Sequence, residues 1–233
     1  MATPIGHALA GLAVASLTNR RAGLSVRAPS TNKSIRTQLQ EFLCARGPIM
    51  ALAVFMALAP DLDLIPGILR GQPILYHGGV SHSLGSGVLL SLLAAWLLRS
   101  GIGKWRNTQF VPNRSMSALF GISLSAFSTH LLLDMMGPDG REPFGIPLLW
   151  PLSDARFLLP TPLLLGVHHT SNTTAGFAEF LSGVFSLHNI MAIVWECMLT
   201  IPFILLGEWR IRQRSNLNKS APICEICGSK QNR

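Results

Sequence analysis

MSALFGISLSAFSTHLLLDMM, residues 116–136, is the stretch that decides the fold. It reaches the ~20 residues that a bilayer-spanning helix needs, and its only ionisable side chains are His130 and Asp134. Their i,i+4 spacing puts an imidazole and a carboxylate on one face of that helix, within reach of one metal ion. An ionisable pair inside a span marks a functional site by default, because an isolated Asp costs about 2.5–3.5 kcal/mol to insert. The bland alternative is a His–Asp hydrogen bond that clamps two helices together.

Outward from this stretch the rest of the chain reads the same way. Four more apolar segments, Pro4 to Leu17, Pro48 to Leu69, Leu84 to Leu98 and Leu187 to Gly207, are expected to cross or deeply enter a bilayer. The first and third are short for a span, and the second contains Pro60, Asp61 and Asp63, so its helix is expected to stop near Ala59. Short or broken spans hold something polar at membrane depth. Composition agrees. Charged residues make up 13% of the 233 against 48% hydrophobic, with mean hydropathy +0.38, whereas soluble domains carry about 25% charged residues. A soluble globular enzyme is not expected, and the fold expected is an all-α polytopic transmembrane bundle of about five membrane segments. Residues 1–207 form the membrane-embedded domain and 208–233 a basic cytoplasmic tail.

The net charge of +8 would suggest a nucleic-acid partner in a soluble protein. Here sixteen of the nineteen Lys and Arg fall in residues 19–46, 99–114 and the tail from 208, and only Arg70, Arg141 and Arg156 lie elsewhere. Short cytoplasmic loops are enriched in Lys and Arg, which places the N-terminus outside and the C-terminus in the cytoplasm. Topology therefore accounts for the charge, and no nucleic acid is expected. With no basic residue before the first apolar run, a cleavable signal peptide is disfavoured. Gly137 to Ser186, rich in Pro and Gly, reads as a re-entrant or interfacial outer cap with Trp150 near the headgroups.

On this topology, derived from Lys and Arg alone, seven candidate ligands converge on the outer side: His7, Asp61, Asp63, His77, His82, His130 and Asp134. Pro60-Asp61-Leu62-Asp63 places two carboxylates after a helix-ending proline. It is not a calcium loop, since Ile65 and Pro66 stand where that loop needs an oxygen ligand and a glycine. In an extended backbone Asp61 and Asp63 share a side, one bridging metals and the other serving as outer ligand or base; the bland reading is a helix end with solvated carboxylates. His77-Gly78-Gly79-Val80-Ser81-His82-Ser83 spaces two imidazoles as a loop folding round an ion would, with Ser81 or Ser83 as a cap for the next helix. No Gly-x-Ser-x-Gly elbow surrounds either serine.

Other residues carry weaker signals. His168 and His169 read as surface residues with ligation as the alternative, while His188 and Glu196 lie in the last apolar segment without an assigned role. Cys224-Glu-Ile-Cys227 is half of a zinc ribbon without a second half.

The ordered set His7, Pro60-Asp61-Leu62-Asp63, His77 to Ser83, His130-Leu-Leu-Leu-Asp134 and Pro147-Leu-Leu-Trp150-Pro151-Leu-Ser153 resembles the YdjM-like, LexA-regulated, inner-membrane-bound metal-dependent hydrolases of bacteria. The resemblance covers about residues 1–160. Family members usually carry Arg after the first His of the third motif and Thr before the second, where this chain has Gly78 and Ser81. The ligand order is also distantly similar to that of zinc-dependent phospholipase C and the P1-type nucleases, which implies phosphoester hydrolysis. The expectation is a metal-dependent hydrolase of the bacterial inner membrane holding one to three divalent ions, zinc favoured by mixed imidazole and carboxylate ligands. His82, His130 and Asp134 are the core ligands. Asp61 is the bridging ligand, and His7, His77 and Asp63 hold a second metal or supply the base; Asp61 and Asp63 are the catalytic carboxylates. The partners expected are membrane lipids and a lipid or lipid-linked substrate. The competing reading is a non-enzymatic metal-binding membrane protein, a carrier, sensor or assembly factor.

The orientation is tested with single cysteines introduced at Gln72, Asn107 and Asn218. An impermeant reagent added outside the cell should label the first alone, and labelling at Asn107 would overturn the topology.

Overall fold

The computed structural model describes residues 1–18, 35–72, 74–100, 114–139, 142–168, 178 and 185–220. Its helices are α1 (Pro4–Thr18), α2 (Ile35–Leu58), α3 (Leu64–Leu69), α4 (Leu84–Ser100), α5 (Met116–Met136) and α6 (Leu187–Ser220), with 3₁₀ turns at Ala59–Asp63 and Val80–His82. Among the described residues there is no strand, only an isolated bridge between Ile146 and Phe157. This is an all-α membrane bundle. Three helical stretches, Arg46–Leu69, Met116–Met136 and Leu187–Gln213, are long and apolar enough to cross a membrane, and α1 and α4 are shorter apolar helices. α6 runs as helix past residue 207, the expected end of the membrane-embedded domain, to Ser220.

Local chemistry sets the helix ends. Ser115 caps α5, its hydroxyl accepting the Ala118 N–H at 3.2 Å. α2 ends at Leu58, where the sequence places its stop, but the backbone does not become extended: Pro60, which has no N–H to leave unpaired, sits in the first turn of a 3₁₀ segment that leads directly into α3. At three residues per turn, Asp61 and Asp63 point in different directions, and this decides their roles below.

α1 packs against α2, α5 and α6, while α5 packs against α1, α2 and α4. The core between them holds Met56, Leu119, Phe127, Leu131 and Ile146. Small residues let the backbones approach, as is usual for helices in lipid. A Cβ on Gly11 would lie 2.6 Å from the Ala53 carbonyl and 2.9 Å from Ala57, and one on Gly207 of α6 would lie 2.7 Å from Ser16 of α1. At the opposite end from residues 1–3, Arg46 and Glu208 pair α2 with α6 at 2.6 Å. The 142–158 segment folds over the start of α4, with Leu84 N–H donating to the Leu148 carbonyl at 2.9 Å and Arg156 donating to the Gly145 and Gly78 carbonyls at 2.9 and 2.8 Å.

Gly11→Ala forces α1 away from α2 backbone and should destabilise the protein by about 1–3 kcal/mol. Gly121→Ala in α5, where an added Cβ meets nothing within 4 Å, should be neutral or stabilising. Thermal unfolding in detergent checks the pair.

Candidate metal centre

The site is assembled from four elements. α1 brings His7, the 3₁₀ turn after α2 brings Asp61 and Asp63, the loop before α4 brings His77 and His82, and the last turns of α5 bring His130 and Asp134. His7, His82, His130 and Asp134 are buried, and Asp61 and His77 lie at the edge. Gly78, at φ +76°, makes the turn that returns the chain so that its own N–H and both flanking histidines face Asp63.

The two central imidazoles are each held by Nδ1. His130 Nδ1 lies 2.7 Å from the Ala57 carbonyl, which can only accept, so the proton is on Nδ1 and Nε2 faces inward. His82 Nδ1 lies 3.2 Å from Asp63 Oδ2 and 3.0 Å from Ser81 Oγ. This arrangement, with one ring nitrogen on a carboxylate or carbonyl and the other free, is how metal-ligating histidines are oriented. The two Nε2 atoms stand 3.2 Å apart. Around them, Asp134 Oδ2 lies 3.4 Å from His82 Nε2 and 3.1 Å from His130 Nε2, and Asp61 Oδ1 lies 3.7 and 3.5 Å from the same atoms.

These separations fit one tetrahedral ion, whose ligand atoms at 2.0–2.1 Å would stand about 3.3 Å from one another. A proton cannot satisfy the set as well. Asp134 Oδ2 is buried beside two imidazole nitrogens yet makes no aligned hydrogen bond, and His7 Nδ1 is likewise buried without one. Burial opposes a charge on His82, but the carboxylates of Asp61, Asp63 and Asp134 outweigh it and raise its pKa to about 10. A proton and a metal cation thus compete for the same place. Two adjacent groups that share no residue could each hold a metal ion: His7, His130 and Asp134 on one side, Asp61, His77 and His82 on the other.

The profile of the YdjM inner membrane protein family matches residues 1–213. The chain belongs to that family. No curated protein and no solved structure matches it. Membership establishes a membrane protein of the inner-membrane type. The match also extends past the residues that carry the resemblance, into α6 as far as residue 213.

All seven residues singled out in the sequence meet in this YdjM-family chain, but not equivalently. His7 stacks on His130 with ring centroids 3.7 Å apart and lies 3.3 Å from Asp134 Oδ1. Asp63 faces the outer edges of the imidazoles: it meets His77 Nδ1 at 2.9 Å, His82 Nδ1 at 3.2 Å, the Ser81 hydroxyl at 2.6 Å and the Gly78 N–H at 3.2 Å. Both its oxygens are taken by donors. His168 is exposed, stacks on His188 and shares backbone hydrogen bonds with Asn189, while His188 reaches the Gly166 carbonyl. His169, Cys224 and Cys227 lie outside the described residues. Sequence reasoning did not find the Ala57 carbonyl, the support that Ser81 gives His82, or the contact of Glu196 with residues 3–6; only the Thr3-Pro4 helix-start pattern hinted at the last.

His130→Ala and Asp134→Ala should each lower bound metal strongly, and His188→Ala should leave it unchanged. Asp63→Asn replaces an acceptor oxygen by an NH₂ facing donors, and should weaken metal binding by about 10–100-fold, as loss of an outer carboxylate does. Metal content and affinity of detergent-purified protein measure all four variants.

Proposed function

We propose that this protein is a metal-dependent hydrolase acting on a lipid or lipid-linked phosphoester at the outer face of the inner membrane, with the N-terminus outside, the C-terminus in the cytoplasm, and zinc as the metal. The observation that carries the reading is the convergence of His82 Nε2, His130 Nε2, Asp61 Oδ1 and Asp134 Oδ2 at separations of 3.1–3.7 Å. A carrier would spread its ligands along a path across the bilayer, whereas these gather at one end of the bundle.

When bound, the metal supplies Lewis-acid stabilisation of a phosphoryl oxygen and a water nucleophile at neutral pH. The chain's own groups do the rest. Asp63, Ser81 and the Ala57 carbonyl fix the two central imidazoles so that their lone pairs stay aimed inward, the geometric pre-organisation that such catalysis depends on. Asp61, part-exposed where Asp134 is buried, is the carboxylate able to meet substrate or take up a proton at the mouth, and we assign it the base. Asp63 is then an orienting group.

The lipid assignment is supported by what stands between the ligands. Leu62 separates Asp61 from Asp63, Tyr76 precedes His77, Val80 lies two residues before His82, and all three are exposed, as are Ile65 and Leu69 nearby in the chain. An apolar collar around a polar mouth suits a headgroup whose acyl chains remain in the bilayer.

The test is hydrolysis of a lipid phosphoester in mixed micelles by purified protein, with metal measured in parallel. Chelation should reduce turnover at least about 100-fold, and zinc should restore it, since the metal contributes several kcal/mol of transition-state stabilisation. Asp61→Asn should weaken metal binding, since Asp61 Oδ1 is one of the four converging atoms, and should lose turnover to a similar extent even when zinc is added to saturation. Metal-loaded wild type without activity on phosphoesters, amides or esters would favour the non-enzymatic metal binder.

A further inference from the structure

Glu196 lies in the apolar run of α6 and is 1% exposed, a costly place for a carboxylate in a spanning helix. Its oxygens accept the Thr3 N–H at 2.9 and 3.2 Å and also the Thr3 hydroxyl. Thr3 Oγ1 in turn accepts the Gly6 N–H at 3.0 Å, so Thr3 is the N-cap of α1 and Pro4 is its first residue. In a capping box, a Glu or Gln three residues after the cap reaches back to the cap's own N–H. That position here is Gly6. Its missing side chain leaves room that the Glu196 carboxylate fills, since a Cβ built on Gly6 would collide with Glu196 Oε2.

The box is therefore completed across two helices, 193 residues apart in sequence. What it fixes is the first turn of α1. His7 follows Gly6 directly and its N–H donates to the Thr3 carbonyl at 3.0 Å. One residue earlier, Ala2 N–H donates to Asp134 Oδ1 at 3.1 Å, the oxygen that His7 Nε2 approaches at 3.3 Å.

We infer that Glu196 is a positioning residue for the His7–Asp134 side of the metal centre, acting through Thr3 as the far half of the α1 capping box. The inference rests on the metal-site reading above. It gives α6 a function beyond spanning the membrane, and it needs a hydrogen-bond acceptor at 196 rather than a charge.

The experiment uses the full chain loaded with cobalt(II), whose visible absorption bands report ligand geometry, with cobalt affinity measured alongside. Glu196→Ala should weaken affinity by about 10–100-fold, the range for lost supporting groups around a metal, and should change the bands. Glu196→Gln should restore most of both, because either residue completes a capping box. Gly6→Ala, which displaces the carboxylate without removing it, should behave as Glu196→Ala does and serves where that variant fails to fold. Glu208→Ala breaks the other polar attachment of α6, to Arg46, and should lower thermal stability while leaving the bands unchanged. If wild type binds cobalt and both Glu196→Ala and Gly6→Ala keep its affinity and bands, the inference is overturned alone. A Glu196→Gln chain as impaired as Glu196→Ala overturns it too. Wild type that takes up no cobalt overturns the metal reading, and this inference with it.

Discussion

Two imidazole nitrogens aimed at each other across 3.2 Å, in a place closed to water, set the terms for the rest of the molecule. Each ring is turned by an acceptor on its far side, so neither lone pair can rotate away. Such a pair is repulsive unless a cation lies between them, and Asp61 and Asp134 supply the negative charge that draws one in. Because His82, His130, Asp61 and Asp134 come from three separate elements, the helices and turns carrying them must be held to within a fraction of an ångström. The same constraint applies to α1, which brings His7 and meets α2 and α6 through small residues.

Parts of this were legible in the sequence because they depend on local spacing. His130 and Asp134 share a helical face by i,i+4 geometry whatever surrounds them, and Pro60 ends α2 for reasons internal to the chain. The membrane character followed from composition and from the length of 116–136. The gathering of all seven residues at one end was legible from the orientation that Lys and Arg imply.

Roles that depend on contacts between distant segments were not legible. An extended backbone would have put Asp61 and Asp63 on one side, whereas the 3₁₀ turn sends Asp61 toward the two Nε2 atoms and Asp63 toward the outer Nδ1 atoms. Asp63 as a base was a natural reading of two neighbouring carboxylates; four donors on its oxygens favour an orienting role. Glu196 had no local motif to announce it, since its partner is Thr3. Arg156 reaching the Gly78 carbonyl, directly after His77, is another contact that no spacing rule yields.

The short first helix follows from the same chemistry. α1 has 15 residues, fewer than a standard span needs, and its first turn is spent on polar work: Thr3 takes Glu196, Ala2 takes Asp134, and His7 enters the centre. A longer apolar start would carry His7 away from α5 or push residues 1–3 out of reach of both carboxylates. Gly6 and Gly11, nearly a turn and a half apart, then bring this polar end onto α6 and the apolar middle onto α2. Replacing Gly11 with a larger residue would press on the α2 backbone and shift α1 as a rigid body, and because His7 rides on that helix, packing against lipid-embedded neighbours and geometry at the metal centre are one mechanical problem.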